Sequence, residues 1–280
     1  MSVLDLKWYA VAAITTLVAI GAINWLVDDS DIALLKLQKG KLGQPARIVF
    51  VGDSSLGHSL DAALMSQLSG EATLNLALTG SYGLAGSRWM LEHYFEKNAS
   101  VHTAFVVQTL DVFPRPIDNE RIADALDSNI DLAALFNTMR ALSKVKALVT
   151  GNRFVMHGDY PPQGVPIRDA SSIKPLEEIY LSDSNAKALR EIGQLCLRYQ
   201  VSCYLALGPI SDRRLQQAKL FLTTLPETEG VRILRQTTPM AIPAEQLGDS
   251  PDHVAAPYRR KFTLQWLELV RSVIGPRTGS

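Results

Sequence analysis

Arg47-Ile48-Val49-Phe50-Val51-Gly52-Asp53-Ser54-Ser55-Leu56 is the stretch whose reading decides the fold. Residues 47–51 are a short apolar run stopped by Gly52, the pattern of a parallel strand buried on both faces. From Ser55 onward Leu56, Leu60, Leu64 and Leu68 recur every four residues, the face of a helix, with Gly70 as its stop. The pattern then repeats. Thr73 to Ala77 reads as a second strand, Leu84 to Lys97 as a helix with Leu91, Tyr94 and Phe95 inward, and Thr103 to Gln108 as a third strand. A helix through Ala186, Leu189, Ile192 and Leu195 leads to a fourth strand at Ser202 to Leu207, and Val231 to Leu234 suggests a fifth. A last helix is expected to start at Pro257, a favoured first helical position, with Phe262, Trp266, Val270 and Ile274 on its face. Strands alternating with helices predict an α/β fold, a three-layer α/β/α sandwich around a mostly parallel sheet. Such sheets carry their sites beyond the carboxyl ends of the strands.

Composition narrows the function. Of 280 residues 47% are hydrophobic, enough for a sizeable core. Lys plus Arg number 28 and Asp plus Glu number 28, a balance that argues against phosphate-neutralising nucleic-acid binding. Two cysteines are too few for a disulfide scaffold or a four-cysteine zinc site.

Trp8 to Val27 is a run of 20 residues without a charge, the length that crosses a bilayer as a helix, with Trp8, Tyr9 and Trp25 near its ends. A cleaved signal peptide would carry a shorter apolar stretch and small residues after it, whereas Asn24-Trp25-Leu26 stands here, so an uncleaved anchor is expected. Lys7 precedes the span, and Asp28, Asp29 and Asp31 follow it, which orients the N-terminus to the cytoplasm. The expected organisation is an anchor at 1–28, a linker at 29–46 and an α/β domain at 47–280 with an insertion at 114–181. The expected location is a bacterial inner membrane, single-pass, with the domain in the periplasm. Cys196 and Cys203 then lie in an oxidising space, close enough to bridge, with two buried thiols as the other reading. The insertion holds helical stretches near Ile122–Leu126 and Leu132–Leu148, then a Gly- and Pro-rich segment at 151–175, the kind of long irregular stretch that forms lids and binding loops.

Three segments carry candidate chemistry. Gly52-Asp53-Ser54-Ser55 sits where a strand ends and a helix begins, so a serine there has its hydroxyl at the carboxyl edge and its N–H at a helix N-terminus. The plain alternative is an N-cap. Asn75-Leu76-Ala77-Leu78-Thr79-Gly80-Ser81 puts Gly80, whose N–H can approach a ligand closely, just after the second strand. Asp249-Ser250-Pro251-Asp252-His253 precedes the final helix, and a histidine oriented by a carboxylate can deprotonate a serine; a surface turn is the alternative. His58, four residues after Ser54, lies on the same helix side and rims the site. His93 and His102 read as surface or helix-end residues, and His157, beside Arg153 and Asp159, as part of a solvated loop. No metal-ligand spacing is present.

At these residues the chain resembles the SGNH, or GDSL-like, hydrolase family over roughly 47–274, with the insertion unmatched. IVFVGDSSLGHSL is similar to the family's first block, NLALTG to its second and DSPDHVAAPYRRKFT to its last. The resemblance implies a flavodoxin-like sandwich, Ser54 as nucleophile, His253 as base, and an oxyanion hole built from the N–H groups of Ser54 and Gly80. It departs from the family in two places. The third block's Asn is missing from Val107-Gln108-Thr109-Leu110-Asp111, leaving Gln108 and Thr109 as candidate substitutes. The family's Asp three residues before the His is Ser250 here, leaving Asp249, then Asp252, or a Ser–His dyad. An anchor plus such a domain is similar to bacterial proteins that add or remove acyl groups on envelope polymers. The implied function is a serine acyl esterase or O-acyltransferase acting on a polysaccharide. The implied partners are the membrane, a carbohydrate acyl donor or acceptor and other envelope biosynthesis proteins, with no cofactor, metal or nucleic acid. A reading of another class is a catalytically degraded scaffold subunit that keeps the fold.

Overall fold

The computed structural model describes residues 30–128, 160, 166–167, 169–235 and 239–274. The expected membrane helix, the stretch 132–148, and His157 with Arg153 and Asp159 lie outside them. Among the described residues no helix is long and apolar enough to cross a membrane.

Five strands form one parallel sheet: β1 (Ile48–Gly52), β2 (Thr73–Ala77), β3 (Thr103–Gln108), β4 (Ser202–Leu207) and β6 (Val231–Ile233), in the order β2-β1-β3-β4-β6. A short parallel pair joins β5 (Ile210–Ser211) to β7 (Ala241–Ile242). The eight α-helices among the described residues are α1 (Ser30–Lys41), α2 (Ser54–Ser59), α3 (Ala62–Ser69), α4 (Gly83–Lys97), α5 (Asn119–Ser128), α6 (Asp183–Tyr199), α7 (Leu215–Thr224) and α8 (Arg259–Ile274).

Strand alternation sends successive side chains to opposite faces, and helices cover both. Val49, Val51, Ala104, Val106, Cys203 and Leu205 pack with buried residues of α1, α4, α5, α6 and α7. Ile48, Phe50, Phe105, Val107, Tyr204 and Ala206 pack with Leu56, Leu60, Met65 and Trp266 of the opposite layer. Phe50, Phe105 and Tyr204 are aligned by register across three strands. Their rings stack at 4.7 and 5.2 Å, and Trp266 meets Phe50 edge-on at 5.8 Å. This aromatic row is what α8 docks onto.

The sheet departs from expectation in its surroundings. The linker reading fails over Ser30–Lys41, which is a helix: Leu35 and Leu42 are buried in the core, and Lys41 Nζ donates to the Asn75 carbonyl at 3.2 Å. The single helix read from Leu56 to Leu68 is two. Leu60 closes α2 in extended conformation, and Asp61 caps α3 by accepting the Leu64 N–H at 3.0 Å. The buried residues of α3 are therefore Ala62 and Met65, while Leu64 and Leu68 are only partly covered. The last α-helix begins at Arg259, after a 3₁₀ turn at Ala256–Tyr258 that contains Pro257. Cys196 near the end of α6 and Cys203 in β4 form a disulfide, Cα–Cα 6.1 Å.

The chain runs from β1 to β2 on one side and then to β3 on the other. The connections leaving β1 and β3 therefore diverge, which opens a crevice at their carboxyl ends. Gly52 closes β1 there. A Cβ at this position would lie 2.0 Å from the Val107 carbonyl oxygen. Gly52→Ala should destabilise the fold by about 1–3 kcal/mol, the range for overpacking a tight site, read as a lowered denaturant midpoint. An unchanged midpoint would mean that β1 and β3 are not held this closely.

Candidate functional site

Asp53 leaves β1 in extended conformation and caps α2. Its Oδ1 accepts the Ser55 N–H at 3.0 Å and the Ser55 hydroxyl at 2.6 Å. Its Oδ2 accepts the Thr109 N–H at 2.6 Å, from the chain leaving β3. The carboxylate is 1% exposed. Burial raises its pKa from 3.8 to about 6; the charge of Asp252 adds to the rise, and the bonds from Ser55 and Thr109 oppose it.

This arrangement separates the two serines. Ser55 is fully buried, its hydroxyl committed to Asp53, and it fits only because Gly208 has no side chain: a Cβ there would stand 2.0 Å from Ser55 Oγ. Ser54, the first residue of α2, is half-buried, and its hydroxyl and N–H have no hydrogen-bond partner among the described residues. Of the two serines only Ser54 thus has an uncommitted hydroxyl, and its N–H lies in the first turn of α2.

The loop after β2 returns toward β1 through Leu78 N–H to Gly52 O at 2.9 Å. Asn75, buried in β2, holds the loop's approach: its side chain accepts from Ala77 N–H at 3.0 Å and donates to Leu60 O at 3.2 Å. The Gly80 N–H has no partner among the described residues. A Cβ on Gly80 would stand 3.9 Å from Nη1 of Arg115, whose guanidinium pairs with Asp111.

Neither candidate substitute for the missing Asn offers a free donor. The Gln108 amide nitrogen donates to Gly83 O at 3.2 Å and to Ser87 Oγ at 2.9 Å on α4. The Thr109 hydroxyl donates to Asp111 at 2.6 Å, and its N–H is taken by Asp53.

His253 sits in a pinned loop. An antiparallel bridge joins Leu247 to Val254, Gly248 N–H donates to His253 O at 2.7 Å, and Ser211 N–H donates to Pro251 O at 2.7 Å. Beneath it Ile242, Leu247, Val254 and Phe262 form their own apolar cluster. His253 Nδ1 is 2.8 Å from Asp249 Oδ1, which fixes the proton on Nδ1 and leaves Nε2 as the basic nitrogen. Asp252 accepts instead from the Ser250 hydroxyl and lends His253 only its charge. Burial lowers the His253 pKa, but the Asp249 bond and the charges of Asp252, Asp249 and Asp53 outweigh it, so the ring's pKa lies above the ordinary 6.5.

The loop is tied to α2 through the helix that follows it. Trp266 of α8 docks on α2, where its Nε1 donates to Ser59 Oγ at 3.0 Å, and Thr263 Oγ1 accepts the N–H of Asp61, the cap of α3, at 3.0 Å. On α2 itself, His58 shares a face with Ser54, one turn away. The His58 and His253 rings stand 4.2 Å apart, and Tyr160 meets His58 edge-on at 4.8 Å. Tyr160 fits because Gly57 has no side chain, and its hydroxyl donates to Leu78 O at 2.8 Å. Burial and the neighbouring His253 charge push the His58 pKa well below 6.5, so this ring is neutral. The pairing of His58 with His253 and the approach of Arg115 to Gly80 had no signal in sequence spacing.

The chain matches no protein-family model and no curated protein.

The raised Asp53 pKa has a consequence for stability. The folded carboxyl holds its proton more tightly than the unfolded one, so the Asp53 contribution is fully present below pH 3.8 and is lost as pH rises through about 6. In Asp53→Asn that decline should disappear, read as a flatter dependence of unfolding free energy on pH across this window. An unchanged slope would mean that Asp53 titrates normally.

Proposed function

We propose that the chain is a serine acyl esterase or O-acyltransferase with an SGNH-like, flavodoxin-like domain, acting on a cell-envelope or secreted polysaccharide. The observation that carries the reading is the pair formed by a free Ser54 at a helix N-terminus and an Asp249-oriented His253 against the same helix. The sheet order supports it, since strands in this order open their crevice at β1 and β3. In the mechanism, His253 Nε2 takes the proton of Ser54 Oγ as that oxygen attacks the acyl carbonyl. The oxyanion is met by the N–H groups of Ser54 and Gly80. His253, now a cation held by Asp249, returns the proton to the departing alcohol. A sugar hydroxyl or water then repeats the sequence on the acyl-enzyme. The uncharged run Trp8–Val27 supports an anchor that holds the domain at the outer face of a bacterial inner membrane.

A second reading has its own support. With Gln108 and Thr109 committed elsewhere, the third oxyanion donor is missing from both candidates, a loss that costs ~10²–10³ in rate where measured. That favours a scaffold subunit of an envelope polysaccharide complex that keeps the fold with weak or no chemistry.

Turnover of p-nitrophenyl acetate separates the two. It should be lost in Ser54→Ala, fall ~10²–10⁴-fold in His253→Ala, and fall further in Asp249→Asn than in Asp252→Asn. The reaction needs neutral His253, so the rate should rise with pH through an apparent pKa above 6.5. Asp249→Asn should move that limb to lower pH, because the anion that stabilises the cation is gone. Equal turnover in the parent and Ser54→Ala would leave the scaffold reading standing.

A further inference from the structure

We propose that His58, His253 and Asp249 form a binding site for one zinc-class divalent cation. Each side chain offers one ligand atom, and the three atoms lie within 4.8 Å of one another. The grouping joins α2 to the loop before α8, across nearly 200 residues of sequence, so no local spacing announces it.

The donor set suits the ion. Two imidazoles and one carboxylate, with the fourth position left to water, is the composition of open zinc sites. A hard cation such as magnesium would want oxygen ligands in octahedral array, which two imidazoles do not supply. His58 is the residue that makes this more than a serine–histidine–aspartate arrangement. Its ring nitrogens have no hydrogen-bond partner among the described residues, and its half-buried ring is packed between Tyr160 and His253. Both supporting elements are held: Tyr160 by its bond to Leu78 O, and the His253 loop by its bridge and by Ser211. The ligands are therefore preorganised on two packed elements, α2 and the loop before α8.

Where the acyl-transfer reading holds, the ion has a defined effect. Coordination through Nε2 would take the lone pair that His253 uses as base, so a site occupied in that way is an inhibited one. This consequence rests on that reading; the binding itself does not.

The test uses the full-length chain in mild detergent. Titration with Co²⁺ should give visible d–d absorption saturating at one equivalent, and competition with a chromophoric chelator should report Zn²⁺ affinity. His58→Gln and Asp249→Asn should each weaken Zn²⁺ binding by about 10-fold or more. His58→Cys, which replaces one zinc ligand by another, should recover much of the affinity that His58→Gln loses, a rescue that a merely structural role for His58 would not give. Ser54→Ala should bind as the parent does while losing esterase turnover. Binding with no turnover in the parent would uphold the metal site and defeat the acyl-transfer reading; turnover without binding would do the reverse. Absence of saturable binding, or equal affinity in the parent and His58→Gln, would overturn the proposal.

Discussion

The Asp53 carboxylate is the constraint on which the rest of the site depends. It collects two donors from its own helix turn and one from the chain leaving β3, so it ties together the two strands whose connections diverge. Its geometry leaves room for only one arrangement of the turn. Gly52 and Gly208 must lack side chains, Ser55 is buried, and Ser54 beside it is left half-buried. The carboxylate is held away from water, and its pKa rises to about 6 because the bonds from Ser55 and Thr109 only partly offset burial and the charge of Asp252. The same residue that organises the turn also contributes negative charge that favours protonated His253. Structure and electrostatics at the crevice are therefore not separable by mutating Asp53 alone.

The second constraint is the docking of α8. Trp266 closes the aromatic row of Phe50, Phe105 and Tyr204 and also bonds Ser59 on α2. Burial of that size dominates the local energetics, since an aromatic side chain removes roughly 150–250 Å² from water. The loop carrying His253 precedes this helix, so its position against His58 follows from core packing. A hydrophobic layer on one side of the sheet thus sets the alignment of polar groups at its edge.

Much of this was legible in the chain. Residues 73–77, 103–108 and 202–207 are strands at the expected bounds because continuous apolar runs between turn signals leave little else to form. Ser30–Lys41 looks like a linker in sequence because its polar residues disguise a buried face; Gln38 and Lys41 are buried alongside Leu34 and Leu35. The i, i+4 leucines suggested one helix, but Asp61 offered a competing cap and divided it. The resemblance leaves Asp249, then Asp252, or a Ser–His dyad, and the structure places Asp249 on Nδ1 in a loop pinned by its backbone bonds. His58 beside His253 and Arg115 beside Gly80 are tertiary facts with no periodic trace. The spare donors expected of Gln108 and Thr109 are spent because α4 and Asp53 compete for them.

In the proposed chemistry Ser54, and not its buried neighbour Ser55, is the nucleophile. Incubation of the protein with a serine-directed fluorophosphonate, followed by intact mass and peptide mapping, should give one adduct, localised to Ser54 and absent from Ser54→Ala and from His253→Ala. No adduct on the folded protein, or an adduct that persists in Ser54→Ala, would contradict it.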